Sequence, residues 1–208
     1  LQDIKTGEAV KNHHNQEFYN AASDVINSPI FIDDTGALNI NSLKSRARKI
    51  KRKHPDLSFI GVDYLQLVRA RADSREREIA EVSGALKELA KELDIPVIAL
   101  SQLNRSLENR QDKRPRTSDL RESGAIEQDA DIIAFLYRHE VYYPETEEDD
   151  ICQFIVGKFR TGTLGVDYLN CQLHFQRFKQ SNYLPSSNMS YTGNQTFGSN
   201  KTSIYDNE

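Results

Sequence analysis

Residues 57–67, Leu-Ser-Phe-Ile-Gly-Val-Asp-Tyr-Leu-Gln-Leu, place an acid directly after a short, β-prone and almost wholly apolar run. Strands buried on both faces read this way, and they belong to parallel sheets covered by helices. In open sheets of that kind ligands bind beyond the carboxyl ends of the strands, where Asp63 falls. A carboxylate there can hold a hydrated magnesium ion beside a nucleotide. It can equally do no more than cap the next turn or helix.

The neighbouring pattern supports such a sheet. Before the run, residues 15–27 place Phe18, Ala21, Ala22, Val25 and Ile26 on one helical face, and Pro29 ends that helix. Ile30, Phe31 and Ile32 then predict a short buried strand stopping at the turn 33–36, followed by a helix over 41–54 with Leu43, Ala47 and Ile50 inward. Lys44, Arg46, Lys49, Lys51, Arg52 and Lys53 make its other face basic, which suits nucleic acid but is more commonly a solvated outer face. After Asp63, Asp73 and Glu76 have the spacing of a capping box for a helix through Leu93, whose stripe is Ile79, Val82, Leu86, Leu89 and Leu93. Asp94-Ile95-Pro96 closes it and leads into another buried strand, 97–100, ending at Ser101-Gln102. Strand, helix, strand, helix, strand in this order predicts an α/β fold with a mostly parallel sheet and right-handed crossovers.

Downstream, 104–117 is polar and basic and reads as a long loop without structure of its own. A short turn or helix start follows at 118–124, then a strand over 130–137 and an acidic, solvated connection at 139–150. Residues 151–159 and 166–175, joined through 161–165, predict a C-terminal antiparallel hairpin.

Composition narrows the function classes. The 208 residues carry a net charge of −4, so nucleic-acid binding has to rest on local patches. No run is long and apolar enough for a membrane span, and the first residues lack a secretory layout, which reads as a soluble intracellular chain. Cys152 and Cys171 make neither a disulfide scaffold nor a zinc site and are expected as buried thiols; the histidines have no metal-ligand spacing. The chain opens on Leu1 and its sole methionine is Met189, so it reads as a fragment or processed product. The expected layout is a flanking segment at 1–14, one domain at 15–180 and a disordered Ser/Asn/Gly-rich tail at 181–208.

Three blocks, 60–67 (Ile-Gly-Val-Asp-Tyr-Leu-Gln-Leu), 96–103 (Pro-Val-Ile-Ala-Leu-Ser-Gln-Leu) and 119–131 (Asp-Leu-Arg-Glu-Ser-Gly-Ala-Ile-Glu-Gln-Asp-Ala-Asp), resemble in order and spacing the C-terminal motor domain of DnaB-type replicative DNA helicases. The resemblance implies a RecA-like fold that assembles as a homo-hexamer around single-stranded DNA, binding ATP between subunits. Asp63 then matches the Walker B aspartate, acting on Mg2+ through water. Gln102 matches the glutamine that senses the γ-phosphate, its alternative being a polar strand end.

Residues 157–162, Gly-Lys-Phe-Arg-Thr-Gly, resemble the family's Lys-Gln-Arg-Asn-Gly block, with Phe159 and Thr161 as departures. Lys158 and Arg160 then reach the γ-phosphate held by the adjacent subunit, Arg160 as arginine finger. Without the family they alternate on one strand face and serve as its solvent side. Arg121, Glu122 and Gly124 match the loop that grips the DNA backbone in the central channel; the other reading is a capping Asp119 with a structural Arg121–Glu122 pair.

The resemblance also implies primase and a helicase loader as partners. The location it implies is the cytoplasmic replication fork, or the stroma if the source is a plastid. No Gly-x-x-x-x-Gly-Lys-Ser/Thr run occurs in the 208 residues, so these residues alone are expected to lack ATPase activity. The family's catalytic glutamate is likewise expected upstream of Leu1. A truncated RecA-like paralogue that only binds single-stranded DNA, and a recombinase or repair ATPase, are the alternatives.

Overall fold

The computed structural model describes residues 15–120, 123–146 and 148–183. The expected flanking segment at 1–14, Arg121, Glu122 and nearly all of the expected tail lie outside the described residues.

Helix α1, Asn15–Asn27, forms where its periodicity places it. Its apolar face is not covered as expected: Val25 is 68% exposed and Ile26 81%. Nor do Ile30, Phe31 and Ile32 form the expected buried strand; they have no regular structure, and Ile32 is 87% exposed. A strand needs a partner for its peptide groups, and among the described residues none pairs with this segment.

Helix α2, Ile40–Lys53, starts at Asn39, whose side chain accepts a hydrogen bond from the Asn41 amide at 2.9 Å. Ile40 and Ala47 face the core. Lys44 and Arg46 of the expected basic face, and Arg48 beside them, are neutralised within the chain. Lys44 pairs with Glu88 at 3.1 Å, Arg48 with Glu92 at 2.6 Å and Arg46 with Asp33 at 2.6 Å.

Strand β1 is Ile60–Val62 and β2 is Val97–Ala99, paired in parallel from Ile60↔Val97 to Val62↔Ala99, but 97–100 is not buried as expected, Ile98 and Leu100 both being exposed. Between them lies α3, Arg75–Leu93. Its cap is Ser74, one residue past the expected Asp73: the Ser74 hydroxyl accepts from the Arg77 amide at 3.3 Å, and Asp73 pairs with the Arg77 guanidinium instead. Serine caps as well as aspartate does. The expected stripe points inward, with Ile79, Val82 and Leu89 fully buried. Asp94, in the left-handed region at φ 52, ends the helix.

The 104–117 stretch is ordered, against expectation. It contains a 3-10 helix at Arg105–Asn109, and Arg110 reaches the Asp119 carboxylate at 2.8 Å and the Arg114 carbonyl at 2.6 Å. A guanidinium offers five donors in a fixed fork, so one arginine satisfies several loop acceptors. Helix α4, Ser123–Asp129, follows and buries Ile126.

Among the described residues four antiparallel strands follow in spatial order β3-β4-β5-β6: β3 Ile132–Arg138, β4 Ile151–Phe159, β5 Gly165–Gln172 and β6 Arg177–Gln180. The expected hairpin is β4–β5, paired from Ile151↔Asn170 to Val156↔Gly165. Strand β6 is an addition: all four of its residues are exposed, so it carries no apolar signal and is held by its ladder to β5. The acidic connection is only partly solvated, because Glu148 is buried and bonds to Gln153 and Tyr183.

Among the described residues the expected mostly parallel sheet is thus corrected to two unequal sheets, a parallel pair of three residues per strand and a larger antiparallel one. A common core joins them. Val62, Leu65 and Val68 pack with Ile79, Val82 and Leu86 of α3 and with Ile133, Phe135, Tyr137 and Ile155 of the antiparallel sheet. Strand β3 alternates, burying Ile133, Phe135 and Tyr137 and exposing Ile132 and Leu136. Cys152 and Cys171 are buried free thiols.

Candidate functional site

Asp63 directly follows β1, and Gln102 lies three residues beyond β2. Parallel pairing therefore brings both to the same carboxyl edge of the sheet. The ladder continues past the strands, with the Leu100 amide donating to the Val62 carbonyl at 2.9 Å and the Leu65 amide to the Leu100 carbonyl at 2.8 Å. Both side chains are exposed, and among the described residues no cation pairs with the Asp63 carboxylate. A lone carboxylate suits magnesium, which keeps most of its waters and takes one or two carboxylates. Asp63 also borders a cleft of about 600 Å³ that lies between α2, residues 29–38 and β1.

Gln66 joins the two strand ends. Its side-chain amide donates to the Ser101 hydroxyl at 3.0 Å, and its side-chain oxygen accepts from the Gln102 amide at 3.3 Å. The backbone carbonyl of Gln66 in turn accepts from Arg75, which also pairs with Glu78. Glu78 accepts from the Ala70 amide at 3.1 Å. Burial works to raise the Glu78 pKa, but the bonds from Arg75 and Ala70 prevail and hold it below the usual carboxylate range. The loop carrying Asp63 is therefore fastened at its far end to the start of α3.

Lys158 and Arg160 form a separate group on the other sheet. Two residues apart, they share a face of β4 and its extension. The Lys158 ammonium donates to the Glu127 carbonyl, and the Arg160 guanidinium to the Gln128 carbonyl at 2.7 Å. These carbonyls lie in the last turn of α4, whose acceptors lack helical partners and favour positive charge. The Arg160 amide donates to the Asp131 carbonyl at 2.9 Å, and its guanidinium stands 3.4 Å from the Asp131 carboxylate. Lys87 of α3 also pairs with Asp131. Its hydrogen bond, followed by the charges of Lys87, Arg160 and Lys158, lowers the Asp131 pKa.

A β-bulge aims this group. Ile133 pairs with Lys158 but Ala134 with Val156, so Gly157 has no partner in the β3–β4 register. A Cβ on Gly157 would stand 2.7 Å from Cε2 of Phe135, closer than any side chain tolerates.

Gly124 lies at the opposite end of α4 from these contacts and is exposed. Its companions Arg121 and Glu122 are outside the described residues. The structure thus brings Asp63 together with Gln102, and Lys158 with Arg160. Among the described residues no hydrogen bond or ion pair links the two groups. Gln66, Gly157 and Asp131 carried no assignment in the sequence, although each lies in or beside a block that resembles the helicases.

Comparison with known proteins explains why these blocks recur together. The model of the DnaB-like helicase C-terminal domain matches residues 1–180. Replicative DNA helicase DnaB of Pasteurella multocida is 51% identical over 178 residues, covering 84% of this chain and 38% of that protein. Replicative DNA helicase DnaC of Bacillus subtilis is 45% identical over 161 residues, covering 76% of this chain and 35% of that protein. The chain therefore spans less than two fifths of the length of these relatives. Among solved structures, one ATPase domain superposes with a TM-score of 0.82 at 42% identity, covering 86% of this chain and 65% of that one. A DnaB-like replicative helicase, described with its interactions with primase, gives 0.78 at 43% identity, covering 82% of this chain and 41% of that one. With the strand-end carboxylate, the bulged Lys-x-Arg and the 119–131 block all lying inside the matched span, the chain belongs to the DnaB-like helicase C-terminal domain family.

Proposed function

We propose that the chain is part of the ATP-driven motor of a hexameric replicative DNA helicase, which translocates on single-stranded DNA and unwinds the duplex at the replication fork. The observation that carries this reading is the separation of the site residues into two groups on two different sheets. A site shared between subunits calls for that division, with each chain offering part of its own pocket and part of its neighbour's.

In this reading Asp63 orients water on a magnesium ion, which offsets phosphate charge when bound. Gln102 donates its amide to a γ-phosphate oxygen or orients water, and Gln66 fixes its loop. Lys158 and Arg160 face the γ-phosphate of the adjacent subunit. The guanidinium spreads its donors over the transferring oxygens. Arg121, Glu122 and Gly124 hold the DNA backbone, where arginine supplies charge and glycine lets backbone amides approach phosphate. Primase, as for the solved relative, and a loader are the proposed partners, at the cytoplasmic fork. Because the 208 residues contain no phosphate-loop motif, they hydrolyse no ATP by themselves.

The test is Arg160→Ala in the complete hexameric helicase that carries this domain. ATP remains bound while hydrolysis falls by about 10³-fold or more. Hydrolysis at the wild-type rate would overturn the finger assignment. For the DNA loop, Arg121→Ala weakens single-strand binding equally across sequences and lowers the salt slope by about 0.7; unchanged affinity would refute it.

A further inference from the structure

We propose that Asp131 is a positioning residue for hydrolysis, holding the Arg160 guanidinium where the neighbouring subunit's γ-phosphate meets it; this rests on the finger reading above. Arg160 is fixed at both ends to one short turn. Its backbone amide donates to the Asp131 carbonyl at 2.9 Å, which fixes the Cα. Its Nη2 donates to the Gln128 carbonyl at 2.7 Å, and its Nη1 lies 3.4 Å from the Asp131 carboxylate, which fixes the tip. Lys87 pairs with the other oxygen of the same carboxylate, so Asp131 is itself held from α3. The chain of contacts runs from the core helix α3 through Asp131 to the guanidinium.

These contacts orient Arg160 without occupying it. A guanidinium has five donors, of which Gln128 and Asp131 engage two. Arg160 is 52% exposed and Asp131 54%, so the pair adds little to folding stability. Aim is another matter, since a misplacement of about 1 Å in a catalytic group can cost on the order of 10²-fold in rate. A long, rotatable side chain at the surface loses its aim easily, and a carboxylate anchored from α3 prevents that. The Gly157 bulge sets the strand's direction and Asp131 sets the side chain's.

The experiment uses the complete helicase with Asp131→Ala, Asp131→Asn and Asp131→Glu. The first two lower kcat for ATP hydrolysis by about 10- to 100-fold, with KM for ATP, single-strand affinity and melting temperature unchanged. Asp131→Glu recovers most of kcat. The second readout mixes Asp131→Ala subunits with Asp63→Ala subunits. Hexamers then contain interfaces that pair an intact pocket from the first variant with an intact finger from the second, so the mixture hydrolyses ATP well above either variant alone.

Wild-type kcat in Asp131→Ala would overturn the proposal. So would a loss of kcat that mixing fails to restore, because a defect in the subunit's own fold is not repaired by its neighbour. Arg160→Ala measured alongside separates the two ideas. If Arg160→Ala is inactive while Asp131→Ala is active, the positioning role alone fails. If Arg160→Ala is fully active, the finger reading fails and the positioning role with it.

Discussion

Replacing Gly157 by alanine tests whether the bulge is built around the absence of a side chain. The added Cβ would lie 2.7 Å from Cε2 of Phe135, 3.4 Å from its Cδ2 and 3.5 Å from Cγ2 of Thr117. Only the first is a collision, and it is with the ring of a buried residue in the common core. Relief requires β4 and the ring to separate by roughly 0.7–1 Å, and overpacking of this kind costs about 1–3 kcal/mol. For a chain of this size that lowers the melting temperature by about 2–12 °C. Urea and thermal unfolding of the 208-residue chain measure it, alone and in a Phe135→Leu background, where the colliding ring atom is gone. The double-mutant cycle then returns a favourable coupling of about 0.5 kcal/mol or more. Gly157→Ala unfolding together with the wild type, or costing as much in the Phe135→Leu background as with Phe135 in place, would refute the steric account. In the complete helicase the same shift moves Lys158 and Arg160, which follow directly in the strand, so kcat falls while ATP affinity holds.

Other elements answer to simpler measurements. Ser74→Ala removes the α3 cap and costs about 1 kcal/mol in urea unfolding; an unchanged midpoint would return the cap to Asp73. Leu89→Ala empties a fully buried position and costs about 2–5 kcal/mol, and a cost under about 1 kcal/mol would mean that α3 does not pack as described. Bonds from the Thr35 hydroxyl and then the Arg46 guanidinium hold Asp33 down from 3.8 to about 2. With a folded pKa below the unfolded one, its contribution is present above about 3.8 and is lost as pH falls through about 2. Carboxyl NMR titration of Asp33 reads this directly, and a midpoint near 3.8 would refute the Thr35 and Arg46 contacts together.

Legibility followed the range of the interaction. The α3 stripe, Asp63 at its strand end and the β4–β5 hairpin were readable because their signals are local: a period, an apolar run closed by an acid, a glycine-bearing turn. The 104–117 stretch was not readable, since its order comes from Arg110 bonding a carboxylate nine residues away and a carbonyl four away. Strand β6 escaped because an exposed edge strand needs no apolar alternation. The opposite error was at 30–32, where β-prone residues predicted a strand that forms only when another strand pairs with it. At the candidate site, residue types were legible through the motifs, whereas the link through Gln66, the bulge at Gly157 and the Asp131 contacts exist only once strands are paired.

The double contact of Gln66 has a mechanical consequence. Each of its two side-chain bonds contributes about 0.5–1.5 kcal/mol, too little to dominate folding but enough to oppose any sliding of the Asp63 loop against the Gln102 loop. The loops after β1 and β2 are then tied to each other as well as to their own strands. The far end of the Asp63 loop is the Arg75–Glu78 clasp at the head of a 19-residue helix. The Asp63 loop and the Asp131 carboxylate are thus both tied to α3, the first at its head through Arg75 and the second farther along through Lys87.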